Sequence, residues 1–209
     1  MPTIPPMLLA FDTSSAACTA ALFDGSGDCI GRSDEMIGRG HAERLVPMIA
    51  ELMDGRAADK ILVGVGPGSF TGIRVAIAAA HGLAIGWDVE LKGMSSLALL
   101  AAGATTDLPI AAAVTGGHGE LFFQEFDGPT LEPISEVRNA KPAEAARLTK
   151  ARLVVGSGAS QLVEARGWGE VLDLAQSASN ATKLPEALRS LAPKPVYARA
   201  PDARIPEAA

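Results

Sequence analysis

The stretch Val65-Gly66-Pro67-Gly68-Ser69-Phe70-Thr71-Gly72-Ile73-Arg74 decides the fold of this chain. An apolar run, Lys60 to Val65, comes before it, and an alanine-rich segment without proline, Val75 to Gly86, follows. The two glycines around the proline permit backbone conformations that are closed to residues with a Cβ. The order of these segments predicts a strand, a tight glycine turn and a capped helix.

The turn is a candidate anion site because the first amides of a helix and its positive end attract negative charge. Ser69 or Thr71 is expected to cap a helix that begins near Gly72. The sequence lacks the lysine of a phosphate-binding P-loop, and the spacing after Gly66 and Gly68 does not fit a dinucleotide motif. The alternative is that these glycines only fit a tight turn from strand to helix.

The composition indicates a folded protein that binds nucleic acid weakly, if at all, by itself. Its 209 residues are 48% hydrophobic and 20% charged, with a net charge of −6. A free-standing nucleic-acid binder normally carries a basic face. Two cysteines without metal-ligand spacing, and a start without a signal-like apolar run, predict a cytoplasmic protein with no membrane association.

Three strands are predicted at the start of the chain, over Met7–Ser14, Cys18–Asp24 and Cys29–Met36, and they form a β-meander. The first bend carries a carboxylate and two hydroxyls, Asp12-Thr13-Ser14. Such a bend can face a phosphate or a metal ion, or it can be a turn whose side chains satisfy nearby amides.

Two helices are predicted over residues 41–53 and 72–86. The first has one apolar face, and Pro47 implies that it kinks there or begins just before that residue. The second is small or apolar on nearly every side, so it must be covered on more than one side. The cover is either a second subunit or the rest of its own domain.

The second half of the sequence repeats the plan of the first half. Ile110–Val114, a bend over 115–119 and Leu121–Phe126 repeat the opening order of strand, bend and strand. Two such openings predict a duplicated α/β fold. The expected division is a first lobe over 1–109, a smaller second lobe over 110–195, and an extended tail over 196–209 that can return to the first lobe.

Two lobes that each open with a β-meander resemble the actin, Hsp70 and sugar-kinase (ASKHA) architecture. Within it, the glycine stretch resembles the signature of the bacterial TsaB (YeaZ) family. The supporting matches are Phe11-Asp12-Thr13-Ser14, Gly40 to Pro47, Gly93-Met94-Ser95-Ser96-Leu97 and Pro195-Val196-Tyr197-Ala198-Arg199. The resemblance covers most of residues 7–103.

The resemblance implies a non-catalytic subunit for adding threonylcarbamoyl to the adenosine beside the tRNA anticodon. The partners it implies are a TsaD-like catalytic paralogue, a TsaE-like ATPase, a second copy when the chain is alone, and tRNA only through the complex. No intrinsic cofactor is implied, although ATP or ADP can lie at the partner interface. The interface residues that follow are His41, Leu45, Met48, Ile49, Leu52, Ile73, Arg74, Ile77, Ala80, His81 and Ala84. Ala80→Arg is accordingly expected to split a dimer without unfolding the chain.

Where the catalytic paralogue carries two metal-binding histidines, this chain has Ser96 and Leu100, so neither a metal site nor a catalytic residue is predicted. The residues left as candidates for nucleotide or anion binding are Asp12, Thr13, Ser14, Gly66, Gly68, Ser69 and Thr71. One departure from the family is the bend Thr115-Gly116-Gly117, which stands where family members usually have Asp-Ala-Arg. Two other hypotheses are a sugar- or acid-kinase-like phosphotransferase that uses Asp12 with ATP, and a glycoprotease-like peptidase.

Overall fold

The computed structural model describes residues 6–198, which form two five-stranded mixed sheets with helices on both faces. The first sheet contains β1 (Leu8–Asp12), β2 (Ala17–Phe23), β3 (Cys29–Met36), β4 (Lys60–Gly64) and β5 (Glu90–Met94). Its helices are α1 (His41–Met53), α2 (Phe70–Trp87) and α3 (Ser96–Ala101).

The second sheet contains β6 (Ile110–Thr115), β7 (Leu121–Phe126), β8 (Arg138–Ala140), β9 (Leu153–Val155) and β10 (Glu170–Leu172). The helices that follow its strands are α4 (Pro142–Leu148), α5 (Ala159–Arg166) and α6 (Glu186–Arg189). Short 3₁₀ turns lie over Gly117–Gly119 and Ala178–Lys183.

Both sheets have the same topology. The spatial order of strands is β3-β2-β1-β4-β5 in one and β8-β7-β6-β9-β10 in the other. In each, the first three strands are antiparallel neighbours, and the fourth strand runs parallel to the first and the fifth. The predicted duplicated α/β fold with two β-meanders is confirmed, and three of the five strands in the second sheet have only three residues.

The helices and sheets stack in five layers. Leu9 and Phe11 of β1 point to the side of the first sheet covered by α1 and α2, while Ala10 points to the side facing α3. In the second sheet, Ala112 of β6 packs toward α3 and its neighbour Ala111 toward α4 and α5. Because side chains alternate between the two faces of a strand, each of these strands contributes residues to two separate hydrophobic cores.

Several boundaries differ from the prediction for local reasons. α2 begins at Phe70, two residues early, because the side chain of Ser69 accepts the amide proton of Gly72. α1 spans His41–Met53 as predicted and runs through Pro47, so the alternative of a regular helix that begins just before that proline does not hold. β8 and β10 were not predicted, since their three residues show no periodic pattern and neither is an unbroken apolar run like β9.

After β10 the chain crosses back to the first lobe. The turn over 178–183 contacts β1, β2 and β3, and α6 contacts β5. Leu191 then pairs with Gly93, and the amide of Val196 donates to the carbonyl oxygen of Val65 at 2.8 Å. The second sheet therefore ends well before residue 195, and the start of the predicted tail lies on the first lobe. Residues 1–5 and 199–209, including the rest of that tail, lie outside the described residues.

Candidate functional site: a cleft between the two lobes

The glycine stretch is shaped by its contact with the bend after β1. A Cβ on Gly72 would overlap the carbonyl oxygen of Thr13, and one on Gly68 would overlap that of Ser14. Gly66 has a φ of 94°, which residues with side chains rarely adopt. The hydroxyl of Thr13 also donates to the carbonyl of Gly72 at 2.7 Å. These glycines are therefore required by close backbone packing.

Asp12 is buried at this junction and acts as a structural tie. One of its carboxylate oxygens accepts the amide proton of Ser14 at 2.6 Å, and the other accepts the hydroxyl proton of Ser96 at 2.5 Å. Burial raises the pKa of the Asp12 carboxyl, against the lowering effect of these hydrogen bonds. Because Asp12 does not line the cleft, the expected metal- or phosphate-facing role has no geometric basis in this structure.

Two amides of the glycine turn, those of Gly66 and Ser69, are occupied within the chain. The Gly66 amide donates to the Ser96 hydroxyl at 3.0 Å, and the Ser69 amide donates to the carbonyl of Ser14 at 2.6 Å. Of the seven residues predicted for nucleotide or anion binding, Ser14, Gly68 and Ser69 line the cleft. The other four, Asp12, Thr13, Gly66 and Thr71, do not.

The cleft itself has a volume of about 870 Å³ and lies between the two lobes. The first lobe contributes the bend 14–16 and the start of α2, and the second contributes the bend 114–118 and Ser157. Residues 196–198 close one side. Its size is that of a pocket for a small organic molecule.

The rim of the cleft carries a guanidinium between two aromatic rings. The Cζ of Arg74 lies 3.4 Å from the ring centre of Phe70 and 5.8 Å from that of Tyr197. None of the described residues lining the cleft is Asp or Glu. Its electrostatic character is therefore set by Arg74.

Most of the predicted interface residues lie inside the first lobe. His41, Leu45, Met48, Ile49, Ile73, Ile77 and Ala80 are buried, while Leu52 and Ala84 are half-buried. These side chains pack between α1, α2 and the first sheet. The periodic apolar faces that suggested a partner are therefore covered by the chain itself. Since Ala80 is 0% exposed, Ala80→Arg is expected to damage the fold, which corrects the expectation from sequence.

The opposite face of α2 is uncovered by the described part of the chain. Arg74, Ala78, His81 and Ile85 are exposed along it, Ile85 with 82% of its surface. A Cβ on Gly82 would meet no atom within 4 Å. By length and composition α2 is the one described helix apolar enough to cross a membrane, a test that core helices also pass.

The two positions aligned with the paralogue's histidines are core positions. Ser96 is fully buried and hydrogen-bonded to Asp12, and Leu100 is 1% exposed. No group of three His, Cys, Asp or Glu side chains able to hold a metal ion occurs within residues 6–198. The donor set at these positions does not fit iron or zinc.

Sequence reasoning missed several residues of the cleft. Ser15 lies in the bend after β1, and Ser157 lies in the turn after β9. Because β9 occupies in the second sheet the position that β4 occupies in the first, the correspondence with the glycine turn after β4 was the signal that could have found Ser157. Gln176 lies below the cleft, where its amide nitrogen donates to the carbonyl of Ser96 at 2.8 Å. No local pattern marks Gln176, since its neighbours come from distant parts of the chain.

Two repeated mixed sheets enclosing a cleft define a protein of the actin, Hsp70 and sugar-kinase architecture. Residues 33–161, more than half of the chain, match the family model described as TsaD: tRNA N6-adenosine threonylcarbamoyltransferase. The tRNA threonylcarbamoyladenosine biosynthesis protein TsaB of Escherichia coli is 33% identical over 128 residues, which are 57% of this chain and 54% of that protein. The TsaB of Haemophilus influenzae is 36% identical over 56% of this chain and 52% of that protein. Each alignment thus spans about half the length of the curated relative.

Solved structures match over nearly their full length. YeaZ from Pseudomonas aeruginosa superposes with a TM-score of 0.76 and 28% identity, covering 92% of this chain and 99% of that one. A second Pseudomonas aeruginosa structure, described as an uncharacterized protein with similarity to peptidase YEAZ, gives a TM-score of 0.75 and 30% identity, covering 93% and 100%. The chain belongs to the TsaB/YeaZ family.

Proposed function

We propose that this chain is a non-catalytic subunit of the machinery that forms threonylcarbamoyladenosine in tRNA, and that it activates a TsaD-like paralogue. The observation that carries the proposal is the outer face of α2, which between Arg74 and Gly86 is rich in small residues and is uncovered by the rest of the described chain. Relatives at 33% and 36% identity are named for this biosynthesis.

The chemistry of the outer face suits a close helix–helix contact. Ala78, Gly82 and Gly86 recur every four residues, so one stripe of α2 lacks large side chains and a partner helix can approach closely. Ile85 lies beside this stripe as an apolar anchor. The same surface serves a second copy when the chain is alone and the paralogue when both are present.

The other parts of the complex follow from this role. A TsaE-like ATPase joins the pair, with ATP or ADP at the interface between subunits, and tRNA is held mainly by the other chains because this one has a net charge of −6. The complex works in the cytoplasm. The buried Ser96 and Leu100, and the absence of any carboxylate from the described lining of the cleft, support a subunit without chemistry of its own.

The test is a tRNA threonylcarbamoylation reaction that contains every component except this chain. Adding the purified chain is expected to restore the modified adenosine. Size-exclusion chromatography with the paralogue, the ATPase and ATP is expected to give a mixed species. Failure of both measurements would reject the proposal.

A matched pair of variants locates the contact. Ala78→Arg places a long charged side chain on the exposed stripe of α2, and Ala143→Arg makes the same change at an exposed position of α4. The first is expected to abolish the mixed species and the second to leave it intact. Equal behaviour of the two would remove α2 from the interface.

A further inference from the structure

The cleft between the lobes presents hydrogen-bond donors and one positive charge, although the chain as a whole is negatively charged. The sequence has 24 acidic and 18 basic residues, yet the described lining of the cleft contains no carboxylate and does contain Arg74. No described residue forms an ion pair with this guanidinium; it lies over the ring of Phe70 instead. A cation held by aromatic stacking keeps its N–H groups for an external acceptor.

Two hydroxyl groups in the cleft also have protons left to donate. The Ser15 oxygen accepts the amide proton of Ala17 at 3.1 Å, and the Ser69 oxygen accepts that of Gly72 at 3.2 Å. A hydroxyl that already accepts an amide proton offers its own proton to another acceptor. Neither hydroxyl proton is donated to an acceptor among residues 6–198. Ser69 also caps α2, so the positive end of an 18-residue helix lies at the same wall.

At the inner end of the cleft, a hydrogen-bond acceptor lacks a donor. Gln176 is 3% exposed and uses its amide nitrogen on Ser96 and Ser14, while its Oε1 has no partner among the described residues. A cavity of about 80 Å³ beside it shares Ser15 and Ser157 with the main cleft and is also lined by Asp173, whose carboxylate is a second acceptor there. A buried acceptor without a partner is costly, and a donor group that enters this space would satisfy it.

We propose that the cleft binds a small organic anion, a carboxylate or a phosphate monoester, with its acidic group at Arg74, Ser69 and Ser15 and a hydroxyl or amino group toward Gln176. The volume of about 870 Å³ accommodates a ligand with a ring that stacks beside Phe70 and Tyr197. The described lining of the main cleft supplies one guanidinium and no carboxylate, and Asp173 lies only at the smaller cavity, so this wall favours a small anion over a magnesium–nucleoside triphosphate. Arg74 lies one helical turn before the stripe of Ala78, Gly82 and Gly86, at the edge of the proposed contact face, so binding is measured on the isolated chain without the paralogue.

The experiment uses the isolated chain and four probes: phenyl phosphate, benzoate, 4-hydroxybenzoate and uncharged benzyl alcohol. Calorimetric titration is expected to show binding of at least one of the two simple anions, and which one binds identifies the acidic group. Benzyl alcohol is expected not to bind, and 4-hydroxybenzoate to bind more tightly than benzoate because it adds a donor for Gln176. Equal affinities for these two benzoates would reject the role of Gln176.

Two variants separate the site from nonspecific attraction. Arg74→Ala is expected to weaken anion binding by about tenfold or more, and Arg147→Ala, an exposed arginine on α4, to leave it unchanged. Arg74→Lys should retain part of the affinity and shows that the loss follows the charge. Amide NMR shifts at Ser15 and Gly117 report binding independently.

Three results would overturn the proposal: no anion bound at millimolar concentration, equal binding of benzyl alcohol, or equal effects of the Arg74 and Arg147 variants. Tighter binding of magnesium–ATP that is insensitive to Arg74→Ala would also overturn it, in favour of a kinase-like site. The outcome is independent of the reconstituted tRNA reaction, so either proposal can fail without the other.

Discussion

Replacing Gly72 with alanine tests whether the glycine stretch is required by backbone contact. In an exposed helix, Gly→Ala normally stabilises a protein by about 1 kcal/mol. At Gly72 the new Cβ would overlap the carbonyl oxygen of Thr13 and lie 3.0 Å from its carbonyl carbon. At Gly82, in the same helix, it would meet no atom within 4 Å. The same substitution is therefore expected to change stability in opposite directions.

The magnitude follows from the contacts at each site. Moving the Thr13 backbone away costs about 2 kcal/mol as overpacking, and the 2.7 Å bond from the Thr13 hydroxyl to the Gly72 carbonyl is worth about 1 kcal/mol. The helical gain of about 1 kcal/mol offsets part of this, leaving Gly72→Ala less stable by about 2 kcal/mol. Gly82→Ala should be more stable than wild type by about 1 kcal/mol.

Urea unfolding followed by circular dichroism measures both variants. The difference of about 3 kcal/mol separates their midpoints by about 1 M, given the usual dependence of free energy on urea for a chain of this size. Repeating the measurement at several protein concentrations separates folding from any self-association through α2. If Gly72→Ala proved as stable as Gly82→Ala, the close packing of this stretch on the first bend would be wrong.

Three further predictions concern buried groups. Ala78→Arg should leave the free energy of unfolding nearly unchanged, while light scattering shows a shift from the mass of a dimer to that of a monomer. Ala80→Arg should lower the free energy of unfolding by several kcal/mol, because it forces a charge into the core. Equal stability of the two variants would refute the assignment of Ala78 to the exposed face and Ala80 to the buried one. Because burial raises the folded-state pKa of the Asp12 carboxyl, the folded chain holds this proton more tightly than the unfolded chain, so its contribution falls as pH rises above the ordinary value of 3.8. In Asp12→Asn, the free energy of unfolding measured from pH 4 to pH 7 should fall less steeply than in the wild type. An unchanged pH profile would contradict the raised pKa of Asp12. Burial raises the pKa of the Cys18 thiol to about 11, so a thiol reagent at pH 8 should label Cys29 alone in the folded chain and both cysteines after unfolding; labelling of both before unfolding would place Cys18 at the surface.

Long elements were predictable because their patterns are local. β3, α1 and β7 begin and end where the pattern of apolar residues and turns placed them, and so does β9, a three-residue run that is entirely apolar. The sequence offered Ser69 and Thr71 as caps of α2. The structure shows that Ser69 is the cap, because its hydroxyl oxygen accepts the amide proton of Gly72. The three-residue strands β8 and β10 could not be found, because pairing with neighbours defines them rather than their own sequence.

The site was harder to predict because its parts are far apart in the chain. Asp12 had the residue type of a metal or phosphate ligand, and only the tertiary structure showed its carboxylate enclosed between the amide of Ser14 and the hydroxyl of Ser96. Through the return of the chain to the first lobe, Tyr197 reaches the cleft and Gln176 reaches the small cavity beside it. A local pattern carries no information about such distant contacts.

The sequence by itself determined the duplicated α/β fold, the family and the strand–turn–helix order of the glycine stretch. Residues 65–74 resembled a phosphate cradle, and the structure makes them a packed junction whose amides Gly66 and Ser69 are bonded to Ser96 and Ser14. Tertiary structure alone decided which face of α2 is free, because the first sheet and α1 cover the face with the stronger periodic signal. The physical reason is that periodicity reports that a face is buried, whereas only the fold shows whether the same chain or a partner buries it.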